Sequence, residues 1–152
     1  MTAKVLDNLR RQCSRREYCT SDILKKAEKA LDGDKDAAAK VLQTLIDEKY
    51  VDNLRYASAY AREKSSISGW GEVKIRYMLS AKGIARDVIT QALEEVDVQR
   101  ADNRLVKLLE NKYRTLKEDP QCKLKLLRFA LGRGYSYDEV SGHIDALMKE
   151  NK

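Results

Sequence analysis

Three stretches of this chain stack on one another: TSDILKKAEKAL from Thr20, SGWGEVKIRYMLSAKG from Ser68 and DPQCKLKLLRFALGRG from Asp119. Each reads as a basic amphipathic helix, and the last two close on glycine. Each leads into a second helix, written AAAKVLQTLIDEKY, ARDVITQALEEVD and SYDEVSGHIDALMKE. The recurrence has a period of roughly 45–50 residues, the range of helical repeats. It constrains the fold more than any local feature does. A unit of that size buries too little apolar surface alone, so neighbouring units must share a core. The expected fold is all-α, an elongated, curved array of three tandem three-helix repeats bounded at 1–50, 51–96 and 97–152.

Helix formers dominate and Pro120 is the only proline, so strands are disfavoured. A first helix begins at Val5 and Leu6 and is expected to run to Cys19. Thr20 or Ser21 caps a second, striped by Ile23, Leu24, Ala27 and Leu31. The third carries Ala38, Val41, Leu42, Leu45 and Ile46 at i, i+3, i+4, i+7 and i+8. Asp52 caps a fourth, with Leu54, Ala57, Tyr60 and Ala61. The fifth holds Ile75, Met78 and Leu79 and stops at Gly83, where a left-handed residue is wanted. Ala85, Val88, Ile89, Ala92 and Leu93 stripe the sixth. Leu105, Leu108, Leu109 and Leu116 stripe the seventh, which ends before Pro120. The eighth is expected to bury Leu124, Leu127, Ala130 and Leu131. Ser136 and Glu139 stand in capping-box spacing before the ninth, with Val140, Ile144, Leu147 and Met148.

Charged residues make up 36% of the chain, so most helices keep a wide wet face. The formal charge of +6 suits a polyanion or an acidic protein groove. Cys13, Cys19 and Cys122 are odd in number and lack metal-knuckle spacing, which points to reduced thiols in a cytoplasmic protein. MTAKVLDNLRRQ has no apolar core of a signal peptide, and no run approaches the roughly 18 apolar residues of a membrane helix. There is one histidine, His143, and no Ser/His/Asp set, Cys/His set or metal-ligand quartet. No catalytic residue, metal or cofactor is therefore expected. Gly69 and Gly71 lack the preceding strand and third glycine of a phosphate-cradling loop.

LIDEKYVDNLRYASAYAREK followed by GWGEVKIRYMLSAKGIARDVITQALEEVD resembles the RecX family, regulators of the bacterial recombinase RecA. Tyr50, Val51, Asp52, Arg55, Tyr56, Ala57, Gly71, Lys74, Ile75, Leu79, Lys82, Gly83 and Ile84 carry the likeness. CSRREYCTSDILKK resembles the start of the family's first repeat. The likeness is strongest over residues 41–97. Asn53 departs from it, standing where a second Asp is common, and the first repeat reads EKALDGDKD in place of a Lys-Gly ending. The resemblance implies a monomeric, non-enzymatic protein that binds RecA filaments on single-stranded DNA. It further implies that the protein hinders their extension, ATP hydrolysis and strand exchange, with weak DNA binding of its own.

Within that frame the candidate partner-binding residues are Arg15, Arg16, Lys25 and Lys26 in the first repeat. They are Trp70, Lys74, Arg76, Lys82 and Arg86 in the second, and Lys123, Lys125 and Arg128 in the third. Each cation has two readings, a solvated helix face or a contact in an anionic groove. Trp70 reads as a packed staple beside Gly71, which lets a neighbouring backbone come close, or as an exposed anchor. Tyr56, Tyr60 and Tyr77 read as core residues or as stacking platforms. A sequence-tolerant DNA-binding helical module is the alternative function, driven by phosphate contacts.

Overall fold

In the computed structural model, which describes residues 1–150, every regular element is a helix. The order is α1 (Thr2–Arg15), α2 (Thr20–Ala30), α3 (Lys35–Asp47), α4 (Asn53–Ser66), α5 (Glu72–Ala81), α6 (Arg86–Leu93), α7 (Val98–Leu116), α8 (Cys122–Gly132) and α9 (Tyr137–Glu150). Asn151 and Lys152, the end of the expected third repeat, lie outside the described residues. The chain forms two compact units, and the division falls inside α4 and α5 and before the last residue of α6. The first comprises Met1–Tyr60 and Leu79–Ala92; the second comprises Ala61–Met78 and the chain from Leu93 onward.

In the first unit, Ile23, Ala27 and Leu31 of the α2 stripe and Ala38, Val41 and Leu45 of α3 meet Leu9 of α1 and Val51. This is the amphipathic solution that the periodicity predicts. α1 is shorter than expected. It stops at Arg15, and Arg16 is extended (φ −159°, ψ 164°). The turn lets Tyr18 pack against the core and buries Cys19 completely, whereas a continuous helix would carry both past it. Neither Thr20 nor Ser21 caps α2. Its N-cap is Cys19, which makes no side-chain cap bond. The amide of Thr20 donates instead to Oδ1 of Asn53 (2.9 Å), and Nδ2 of Asn53 donates to Oγ1 of Thr20 (3.1 Å). An orphan amide of one helix is thus satisfied by the first residue of another. Asp52 caps α4 through the amide of Arg55 (3.0 Å), as expected. Gly83 sits at φ +79°, and Ile84 N–H reaches back to the carbonyl of Leu79 (3.3 Å). This is the left-handed stop that Lys82-Gly83-Ile84 predicts.

In the second unit, Leu105 and Leu109 of α7 meet Cys122, Leu126 and Ala130 of α8 and Val140 and Ile144 of α9. The α8 stripe differs from the expected one. Leu124 and Leu131 are each 41% exposed, while Cys122, Leu126 and Ala130 are buried. Leucines occupy several faces of CKLKLLRFAL, so periodicity alone does not choose among them. Met78 of α5 is likewise exposed, beside buried Ile75 and Leu79. Ser136 and Glu139 form the capping box: Glu139 N–H donates to the Ser136 hydroxyl (3.3 Å), and Ser136 N–H to the Glu139 carboxylate (3.0 Å). Asp34 and Asp97 cap α3 and α7, accepting the amides of Ala37 and Arg100.

Candidate partner-binding surface

The second unit positions Trp70 through a backbone joint. Gly71 N–H donates to the carbonyl of Arg133 (2.8 Å), and Val73 N–H to that of Gly134 (2.9 Å). A Cβ on Gly71 would land on the carbonyl of Gly134 and the amide of Tyr135, and one on Gly134 would strike Lys74. Two glycines facing each other therefore let the start of α5 lie directly on the turn after α8, as the sequence predicted for Gly71. The joint is tied at its edge by Tyr135, whose hydroxyl donates to the carbonyl of Gly69 (3.1 Å), and by Arg133, which donates to the carbonyl of Ser68 (3.1 Å).

So held, the half-buried Trp70 ring lies under two ammonium groups, Lys74 at 4.3 Å from the centroid and Lys64 at 4.8 Å. The same device occurs in the first unit. Tyr18, two residues ahead of its helix as Trp70 is of α5, lies under Arg16 (4.6 Å) and Lys26 (5.1 Å). A third ring, Phe129, has Lys112 and Arg133 each at 5.3 Å. Beside it runs a shallow groove of about 420 Å³ lined by Lys112, Leu116, Lys125 and Arg128. Each cation–π contact contributes about 0.5–1 kcal/mol at exposed sites. Each ring also holds two like charges together, which favours an incoming carboxylate or phosphate. Lys64, Lys112 and Phe129 were not foreseen; the recurring aromatic with cations nearby was the available signal.

The predicted residues divide by what they touch. Arg16, Lys26, Trp70 and Lys74 belong to the ring clusters. Arg15, Lys25, Arg86 and Arg128 are exposed. Arg76 pairs with Glu72 one helical turn back (3.0 Å), Lys125 with Asp119, and Lys123 with Asp145 (3.1 Å). The packing of α8 beside α9 brings Asp145 to Lys123. Lys82 is committed to the fold. Its ammonium meets Asp22 at 2.8 Å, and its carbonyl accepts the Ser21 hydroxyl at 2.7 Å. The bond to Asp22 raises the Lys82 pKa against the opposing effect of burial. Burial pushes the Asp22 carboxyl the other way, yet hydrogen bonds from Lys82 and Cys19 outweigh it and hold Asp22 below the usual carboxylate range. Tyr56 is buried and stacks on Tyr60 (5.9 Å), whereas Tyr77 is 73% exposed.

The remaining polar groups offer little chemistry. His143 is half-buried and hydrogen-bonded through Nε2 to Asp102 (2.8 Å). Burial raises the Cys13 and Cys122 pKa values, which favours the inert thiol over the thiolate. Among the described residues no cluster of three or more His, Cys, Asp or Glu is arranged to hold a metal ion, and no helix is long and apolar enough to cross a membrane.

Family models of RecX match the chain twice: the second three-helix domain at residues 52–93 and the third three-helix domain at residues 101–142. The regulatory protein RecX of Clostridium botulinum (strain Eklund 17B / Type B) is 33% identical over 111 residues, covering 70% of this chain and 51% of that protein. The regulatory protein RecX of Clostridium perfringens (strain 13 / Type A) is 32% identical over 118 residues, covering 75% and 54%. The chain thus spans about half the length of the curated relatives it matches. A crystal structure of RecX from Lactobacillus salivarius superposes with a TM-score of 0.82 at 23% identity, covering 96% of each chain. A crystal structure of regulatory protein RecX gives 0.84 at 24% identity, covering 95% of this chain and 71% of that one. These two likenesses concern the all-α fold of tandem three-helix domains.

Proposed function

The chain belongs to the RecX family of regulatory proteins, and from that premise we propose that it binds the RecA filament on single-stranded DNA and hinders its extension, ATP hydrolysis and strand exchange. The observation that carries the reading is the pairing of cations over a half-buried aromatic in both units, on Tyr18 and on Trp70. A ring fixed by its own fold supplies apolar area at low entropic cost, and the cations above it supply attraction to carboxylates or phosphates. Neither cluster is strong alone. Affinity comes from several contacts made at once along a repeating partner, so binding requires the filament and is weak for a single subunit.

In this reading regulation is by occupancy and uses no catalytic group or cofactor. The three repeats, 1–50, 51–96 and 97–152, each present part of the surface. Arg15, Arg16, Lys25 and Lys26 act from the first, and Trp70, Lys74, Arg76 and Arg86 from the second. Lys123, Lys125 and Arg128 act from the third, while Lys82 contributes mainly by holding α2 through Asp22. The protein works as a monomer in the cytoplasm, where its partner resides, and touches DNA weakly.

The test is RecA's DNA-dependent ATP hydrolysis, measured with rising amounts of this protein at limiting DNA and again with DNA in large excess. Inhibition at substoichiometric amounts supports the proposal. Inhibition that disappears once DNA is plentiful identifies a sequence-tolerant DNA-binding module, because simple competition for DNA would then be relieved. Absence of inhibition under both conditions overturns the proposal.

A further inference from the structure

The second unit holds a cleft of about 660 Å³ between the C-terminal half of α4 and the first half of α7, closed by the loop between α6 and α7. Arg100, Arg104 and Lys107 line it from α7. Their i, i+4, i+7 spacing places all three on one helix face. At 1.5 Å of rise per residue they span about 10 Å. Arg62 faces them from α4.

The charges are poorly answered. Arg104 donates to the carbonyls of Ser66 (2.9 Å) and Ile67 (3.1 Å), closing the open end of α4 without neutralising its own charge. Glu95 comes no nearer than 3.9 Å to Arg62, and both side chains are more than half exposed. Asp97 accepts the amide of Arg100 as a helix cap (3.1 Å). Among the described residues Arg100 and Lys107 have no ion-pair partner. Four cations thus face two carboxylates, three of the cations along one helix face where like charges repel. A chain of adjacent anionic groups relieves that repulsion along its whole length, which one carboxylate cannot do. The volume falls in the range of small-ligand sites, roughly 300–1,000 Å³. Val96 and Ala101 add an apolar wall.

We propose that this cleft binds a short polyphosphate chain, free or carried by a nucleoside triphosphate. The site shares no residue with the surface assigned to RecA, so each reading can fail without the other. Isothermal titration of the full chain with sodium tripolyphosphate and, separately, with ATP tests it, alongside amide chemical-shift mapping of the unmodified protein. Saturable binding with shifts confined to residues of α4, α7 and the loop joining α6 to α7 supports the site. Tighter binding of ATP names the nucleotide as ligand, and equal binding names the phosphate chain. Arg100→Gln combined with Lys107→Gln should weaken binding about a hundredfold, near tenfold for each charge-assisted contact. Lys35→Gln with Lys40→Gln on α3 should leave it within about twofold, since neither residue lines the cleft and exposed charges contribute little. The proposal is overturned if neither compound saturates at millimolar concentration, or if both double variants weaken binding alike. It is equally overturned if the shifts lie elsewhere, or if single-stranded oligonucleotides bind and both small compounds do not. Should the Arg100/Lys107 variant misfold, the shift map on the unmodified protein decides.

Discussion

Gly71→Ala adds one methyl group and removes no charge, yet it should dismantle the joint that holds Trp70. The new carbon would sit 2.5 Å from the amide nitrogen of Tyr135 and against the carbonyl of Gly134. Ordinary carbon contacts begin near 3.5 Å, so the start of α5 must retreat by about 1 Å. The obstacle is backbone, which cannot swing aside as a side chain would. Retreat stretches the bonds from Gly71 N–H to Arg133 and from Val73 N–H to Gly134. Each contributes about 1 kcal/mol net, and forced overpacking costs about 1–3 kcal/mol more. The expected loss is about 3–5 kcal/mol. Urea unfolding followed by circular dichroism should show a lower midpoint with an unchanged slope. Gly132→Ala and Gly142→Ala serve as controls, since a Cβ at either meets nothing within 4 Å. Both lie in helices and should be neutral or stabilising by up to about 1 kcal/mol. A Gly71→Ala protein as stable as the original would refute the close-approach argument, and so would a Gly132→Ala protein destabilised as much.

Three further outcomes are expected. Asp22 has a depressed carboxyl pKa, so its contribution is present above the unfolded value near 3.9 and is lost as pH falls through the folded one; Asp22→Asn should lower stability at pH 7 and flatten its decline in acid, measured by urea midpoints across pH 2–7. Ser136→Ala removes the capping box of α9 and should cost about 1 kcal/mol in the same assay. Lys74→Glu with Arg76→Glu should abolish inhibition of RecA while changing stability by only about 1 kcal/mol, because both side chains reach solvent; a collapse of the melting temperature would show instead that these charges are structural.

The positions that carried the family resemblance prove to be mostly joints. Val51, Tyr56, Ala57, Ile75, Leu79 and Ile84 are buried. Arg55 pairs with Glu17 (2.6 Å) and donates to the carbonyls of Lys49 and Tyr50. Gly71 and Gly83 serve backbone geometry. The motif was therefore strong evidence for the fold and weak evidence for which surface meets a partner. Lys82 illustrates the gap, since inspection of IRYMLSAKG reveals a basic helix end but not that Asp22, sixty positions earlier, occupies the ammonium.

By itself the sequence determined the helical class, the order of helices and most of their ends. Those signals act within a turn or two: the left-handed residue at Gly83, the caps at Asp52 and Ser136, the apolar stripes of α2 and α3. Tertiary structure alone decided which leucines of α8 turn inward, why α1 stops at Arg15, and which cations remain available. Asn53 answering Thr20 and Tyr135 answering Gly69 join groups 33 and 66 residues apart. A helix specifies its own hydrogen bonds locally, whereas a side chain's partner is whatever packing brings to it from elsewhere in the chain.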